Sequence, residues 1–262
     1  MDGIKKDNMW IRNLPDQFQN KESGINILNF LWNHENIYVM DNHLAAAFCW
    51  LQKCGQDEAY NFLHIDQHND FLCNAPINEY AKILGTSKCS LDEYCSVEHN
   101  GLPLMQWDNY IKSTQQLHPN WFNHNVFSTQ KSPVDRITQC IIPQMVVDYI
   151  DPIDINAELD SLFNEEYHIP YSIYKWIVNL DLDFFFDKEC NRLFDDEYII
   201  SLANKFKQNK ERIQVLTICL SPECCGKDLI EGWSNAICVL DTFMHALAIS
   251  ESENMSFPQD YK

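Results

Sequence analysis

The chain has 262 residues, 45% of them hydrophobic, and carries 38 acidic against 19 basic side chains for a net charge of −19. That length and apolar content suit one large α/β domain spanning residues 1–262, while the charge excludes nucleic acid and anionic membrane as partners, since their phosphates would be repelled. The 11 cysteines follow neither a disulfide framework nor paired CxxC spacing, and no apolar stretch exceeds "LAAAFCWL", so reduced thiols and a soluble, cytoplasmic protein are expected.

In chain order, "NIYVM" (36–40) reads as a strand. In "HLAAAFCWLQKCG", Leu44, Ala47, Phe48 and Leu51 share one helical face, with Asp41 or Asn42 available as the cap and Gly55 as the stop. "YNFLHID" (60–66) is the next strand, completing a βαβ unit. From about 85 to 170, Pro, Asn, His and aromatic residues interrupt every periodic run except "CIIPQMVVDYI", which predicts long loops and one strand. "WIVNLDLDFFF" (176–186) and "IQVLTICL" (213–220) are apolar strands separated by the helical "DDEYIISLANKFKQ". A last helix starts near Asp228, with Leu229, Trp233, Ile237, Leu240, Phe243 and Leu247 at core spacing. Strands without polar alternation are buried on both faces, so the fold class is α/β: a three-layer sandwich around a mainly parallel sheet.

In such sheets ligands bind beyond the carboxyl ends of the strands. Four ends are polar here, "MDNH", "IDQHND", "NLDLDFFFD" and "LSPE", and they present His43, Asp66, His68, Asp70, Asp181, Asp183 and Glu223. Each has a structural reading too: His43 as a hydrogen-bonded core residue, an Asp after a strand as the cap of the next helix. Yet carboxylates crowded into a low-dielectric pocket repel one another unless they are protonated or bind cations. Bridging Asp residues could hold two divalent ions, and oxygen-rich ligation with imidazole and no thiolate favours manganese over zinc. The adjacent Cys224 and Cys225 of "ECCG" are assigned no role.

The motifs "YVMDNH", "LHIDQHNDF", "VNLDLDFFFD" and "LSPECCG", in that order between residues 38 and 226, resemble those of the ureohydrolases, arginase and agmatinase, and among them the peptide arginases. The resemblance implies an arginase/deacetylase-like fold and two Mn(2+). His43, Asp66, Asp70 and Asp181 would hold one ion, and His68, Asp66, Asp181 and Asp183 the other, with Asp66 and Asp181 as bridges. It implies attack of hydroxide on the guanidinium carbon of a peptide arginine, giving urea and ornithine. Asp70 would carry a proton to the leaving amine. Glu223 would pair with the guanidinium; its other reading is an acid at a helix N-terminus. The implied partner is an arginine-containing peptide, such as a precursor with a leader segment, and classical arginases being trimers or hexamers adds a homo-oligomer to the expectations.

Several features depart from the family pattern. Asn42 stands where the family usually has Asp before the first His ligand, which bears on how His43 is oriented. Asp187 precedes Lys188 where arginases acting on free arginine have a DP pair. The nearest candidate for their proton-shuttling histidine is His99, far along the chain, whose other reading is a surface-loop residue. No polar loop for a free amino acid's α-carboxylate is evident. Two other functions follow from the same fold: a single-zinc deacetylase, for which the paired "HH" is missing, and a non-catalytic peptide-binding module.

Overall fold

The computed structural model describes residues 8–72, 76–130, 146–163 and 174–249. Its strands are β1 (Asn8–Arg12), β2 (Leu31–His34), β3 (Ile37–Met40), β4 (Asn61–Asp66), β5 (Glu98–His99), β6 (Leu102–Pro103), β7 (His124–Thr129), β8 (Val147–Tyr149), β9 (Trp176–Asp181) and β10 (Ile213–Cys219). The helices are α1 (Ala46–Lys53), α2 (Ala81–Leu84), α3 (Leu91–Cys95), α4 (Tyr110–Leu117), α5 (Ile155–Phe163), α6 (Asp196–Gln208) and α7 (Leu229–Leu247). Among the described residues no helix is long and apolar enough to cross a membrane.

Eight strands form one sheet in the order β1-β2-β3-β10-β9-β4-β7-β8. From β3 to β8 all neighbours run parallel, and β2 pairs antiparallel with both β1 and β3. The mainly parallel α/β architecture expected from the apolar strand runs is therefore present. β3, α1 and β4 form the expected βαβ unit, with β10 and β9 lying between its two strands in the sheet. The chain leaves β3 through α1, skips two positions, and fills the gap with β9 and β10, which are almost wholly buried.

The pleat divides the core in two. Val39, Leu63, Ile65, Val178, Leu180, Leu216 and Ile218 join the apolar cluster under α5, α6 and α7. Tyr38, Met40, Phe62, Ile177, Val215 and Cys219 join the cluster under α1 and α4. Alternation thus survives inside strands that read as continuous apolar runs, because each face has its own helical layer. Helix starts follow side-chain chemistry: Asp195 accepts from Tyr198 N and Asp228 from Glu231 N.

At the first helix the two candidate caps have separate tasks. Asn42 caps, accepting from Leu44 N in the 3-10 turn His43–Ala45 that leads into α1. Asp41 instead receives the backbone N–H groups of Asn29 and Phe30. The helix closes at Cys54, one residue before Gly55. The stretch 85–170 holds more structure than expected: the β5–β6 hairpin, α3, α4, α5 and two sheet strands. Of "CIIPQMVVDYI", residues 140–145 lie outside the described residues, and 147–149 form β8.

Candidate metal centre

The carboxyl ends of β3, β10, β9 and β4 lie side by side at the centre of the sheet, and the sequence-predicted residues leave from them. His43 opens the turn after β3. Asp66 is the last residue of β4, with His68 and Asp70 just beyond. Asp181 ends β9. The strand expected to run to residue 186 stops at Asp181, whose side chain caps a 3-10 turn, Leu182–Phe185, by accepting from Asp183 N. That turn keeps Asp183 beside Asp181 while it ends the strand.

The carboxylates are held in one recurring way. Asp66 Oδ1 accepts from His68 N at 2.5 Å, Asp181 Oδ1 from Asp183 N at 3.0 Å and Asp183 Oδ1 from Gln67 N at 3.0 Å. Backbone amides therefore fix one oxygen of each group, and the other turns inward. Asp70 Oδ2, Asp181 Oδ2 and Asp66 Oδ2 lie 3.0, 3.2 and 3.6 Å from His43 Nδ1. Asp183 Oδ2 lies 2.9 Å from His68 Nδ1. Asp70 reaches its place in a left-handed backbone conformation, φ 47°, a position that costs energy for any side chain but glycine and persists where the surroundings impose it.

The donor set passes a test of fit for divalent ions. Asp66 Oδ2 is buried and has no hydrogen-bond donor, a costly state for a carboxylate that lacks a cation. In the groups His43–Asp66–Asp70 and Asp66–Asp181–Asp183 the ligand atoms all lie within 4.8 Å of one another, near the span of ligands roughly 2.2 Å from one shared ion. Asp66 belongs to both. Titration behaviour shows the same crowding. Burial, then the charges of Asp70, Asp183 and Asp181, push Asp66 well above the usual carboxylate range. Burial and Asp183 raise Asp181 to about 7. Burial alone would raise Asp70 as well, but its hydrogen bond to His43 and the neighbouring imidazoles pull it down. Among the described residues these groups could hold a metal ion, and Cys219 and Cys224, which the expected donor set leaves out, also bring Sγ within the same reach of His43–Asp181 and of His68–Asp183.

A pocket of about 220 Å³ opens onto this cluster, lined among others by Ser23, Trp107, Glu223 and Cys224. Glu223 sits in the 3-10 turn Pro222–Cys224 and accepts a hydrogen bond from Ser23 N. Burial raises its carboxyl above the ordinary range, and that amide hydrogen bond acts against the rise. Asn42 explains its own departure from the family pattern. Its amide donates to Ser23 O at 2.6 Å and Gly24 O at 2.7 Å, which a carboxylate could not do, so residue 42 ties down the pocket wall. His43 is oriented by Asp70 and Asn179 instead. His99 is not brought to the pocket: it lies in β5, with Nδ1 3.2 Å from the Tyr80 hydroxyl.

Sequence reasoning missed a polar row beneath the cluster. His64, Asn179 and Thr217 are register partners on adjacent strands, two residues before Asp66, Asp181 and Cys219 and on the same face. Asn179 Nδ2 lies 3.1 Å from Tyr110 Oη, 3.2 Å from His64 Nδ1 and 3.3 Å from His43 Nε2, and its Oδ1 accepts from Thr217 at 2.8 Å. The signal was available, since a polar residue at i−2 from a ligand faces the same side of the strand. Ser221, also missed, donates to Asp181 Oδ2 at 2.6 Å.

Two glycines seat the 222–224 turn against α7. A Cβ on Gly232 would lie 1.8 Å from Pro222 O, and one on Gly226 would lie 2.2 Å from Gly232 N. Gly→Ala within a helix ordinarily stabilises by about 0.5–1 kcal/mol. Gly232→Ala is expected to do the reverse, destabilising by about 1–3 kcal/mol as overpacking does and displacing Glu223. Urea unfolding measures the first effect, and substrate affinity the second.

No protein-family model matches the chain, and no curated protein matches it. Among solved structures, proclavaminate amidino hydrolase from Streptomyces clavuligerus is similar over 81% of this chain at 10% identity and a TM-score of 0.45. The chain spans 64% of that protein's length. Helicobacter pylori arginase is similar over 80% of this chain and 72% of its own, at 13% identity and a TM-score of 0.43. Both likenesses concern the course of the chain alone, and the functional reading rests on the residues of the site.

Proposed function

We propose that the protein is a manganese-dependent hydrolase that cleaves a guanidinium C–N bond, converting arginine side chains of a peptide to ornithine with release of urea. The observation that carries this reading is the convergence of inward carboxylate oxygens, one of them without a donor, on two imidazoles in a pocket that Glu223 also lines. Ions bound there supply Lewis acidity, which lets water act as a nucleophile at neutral pH.

The chain's own residues do the rest. Glu223 has one oxygen engaged by Ser23 N–H, leaving the other for a guanidinium N–H in a partly desolvated site where such a charged pair is strong. Trp107, in edge-to-face contact with His68, offers an aromatic face to a planar cation. In this reading Asp70, 3.0 Å from His43 Nδ1, carries a proton to the leaving amine. Among the described residues lining the pocket none is Lys or Arg, so the carboxylate of free arginine would find no countercharge. This favours an arginine whose α-carboxyl lies within a peptide bond.

The test is a metal count by native mass spectrometry after manganese loading, followed by a urea assay on arginine-containing peptides and on free arginine. Two ions per chain and urea from peptides alone are expected. Glu223→Gln is expected to keep both ions while kcat/KM falls about 10- to 100-fold, the value of a hydrogen bond to a charged group. One zinc per chain with no response to manganese would replace this reading with the deacetylase one, and no ion at all would leave a peptide-binding module.

A further inference from the structure

We propose that the Cys224 thiolate is a ligand of the ion held by His68 and Asp183, making that half of the centre a site for a thiophilic divalent ion such as zinc or cobalt, beside an oxygen-rich half suited to manganese. The inference rests on the metal reading given above and changes the expected ion in one position.

Three cysteines lie close to the carboxylates, and their surroundings separate them. Cys219 is fully buried in β10, with Sγ 3.2 Å from the Ser221 hydroxyl. Cys225 is fully buried too, and its thiol donates to Leu220 O at 3.3 Å. Cys224 lines the pocket, and its thiol has no hydrogen-bond partner among the described residues. Its Sγ, a His68 ring nitrogen and an Asp183 oxygen lie within 4.8 Å of one another.

Two of the three donors, Asp183 and Cys224, are also fixed. Gln67 N holds Asp183 Oδ1, and the turn bearing Cys224 is closed by Cys224 N donating to Ser221 O at 2.9 Å. Ser221 in turn bonds Asp181, and the glycine contacts with α7 seat the turn from behind. One imidazole, one carboxylate and one thiol thus come together at the pocket, beside the shared carboxylates Asp66 and Asp181. Thiolate is the donor that shifts preference from manganese toward zinc and cobalt. On binding, the S–H proton would pass to solvent as an S–metal bond forms.

The experiment loads chelator-treated full-length protein with Co(2+) and records the near-ultraviolet sulfur-to-cobalt charge-transfer band, with ions counted by native mass spectrometry. Wild type is expected to show the band; Cys224→Ser is expected to lose it, and Cys219→Ser and Cys225→Ser to keep it. In competition between zinc and manganese, Cys224→Ser is expected to lower the preference for zinc at least about tenfold, since even residues that contact a metal only through its ligands change affinity by that much. Should Cys224→Ser fail to fold, alkylation of the wild-type chain gives the same answer: zinc should shield Cys224 from iodoacetamide and manganese should not. Bound ions with no sulfur band, a band that survives Cys224→Ser, or a Cys224 that alkylates equally under both metals would overturn the inference and leave the metal centre standing. Absence of any bound ion would remove the centre itself.

Discussion

In Asp181→Asn, ion binding and urea release are expected to fail together, and the metal-free variant is expected to melt above the metal-free parent. The amide keeps the shape of the side chain and an oxygen for Asp183 N, so the 3-10 turn that carries Asp183 survives. What disappears is one negative charge from a buried group in which Asp66, Asp70 and Asp183 remain. With Asp181 raised to about 7 by burial and by Asp183, relief of that charge at pH 8 is roughly 2–4 kcal/mol. Manganese reverses the ranking. The parent gains about 4 kcal/mol at an ion concentration a thousand times its Kd, while the variant, short of a shared ligand, gains little, and its activity falls by more than ~10³-fold because direct ligands exceed the 10- to 100-fold effect of their supports. Melting curves with chelator and with manganese should therefore cross, which nonspecific damage to the fold cannot produce. The pH dependence has a definite sign. In the metal-free parent Asp66, Asp181 and His43 all have raised folded-state values. Their contribution to stability is present below the unfolded values and is lost as pH rises through the folded ones. Metal-free stability should fall as pH rises from about 4, with Asp181 contributing up to about pH 7 and His43 only above its unfolded value of 6.5, and more gently in Asp181→Asn.

The candidate centre was legible in the sequence because its His and Asp residues interrupt what is otherwise apolar. "LHID" and "VNLD" are strand interiors until the carboxylate appears, and a charge there calls for a partner. The parallel sheet was legible for the same reason, since "IVNL" and "VLTICL" leave no solvent side. The order of strands was not, because apolar runs carry no information about which run each will pair with, so β9 and β10 came to separate β3 from β4. β7 and α4 escaped notice because polar residues are buried in them beside the apolar ones. In "HNVFST", Asn125 Nδ2 donates to Phe122 O and Val146 O, and Thr129 donates to Asn69. In α4, Lys112 packs its ammonium over the Phe71 ring and bonds Gln115. Hydropathy registers the polarity and cannot register the partner that makes burial affordable. Cys224 and Cys225 are adjacent and alike in sequence, and only the turn separates them, sending one thiol to a carbonyl in the core and the other to the pocket.

The polar row beneath the ligands leads to a second large effect. Asn179→Leu is expected to lower stability by roughly 3–6 kcal/mol and to weaken ion binding about 10- to 100-fold, whereas Asn179→Asp should recover most of the binding. The stability loss follows from three buried groups, Tyr110 Oη, His64 Nδ1 and His43 Nε2, deprived of one shared amide at about 1–3 kcal/mol each. The binding loss has a different origin. An ion on His43 Nδ1 requires the ring proton on Nε2, so whatever faces Nε2 must accept. A half-turn of the Asn179 amide presents its oxygen there and its nitrogen to Thr217 Oγ1, which accepts while passing its own proton to Val178 O, 3.3 Å away. The metal-bound arrangement thus keeps the bonds to His43 and Thr217 and costs the row one hydrogen bond, because His64 Nε2 donates to His68 O and its bare Nδ1 then faces the amide oxygen. A carboxylate at 179 also accepts from His43 Nε2 and from Thr217, which is why Asp should rescue binding and Leu should not. Urea unfolding of the metal-free variants and manganese titration of each separate the two contributions. If Asn179→Leu unfolds more easily yet binds manganese with parental affinity, Asn179 is a packing residue of the core and His43 is oriented by Asp70 alone.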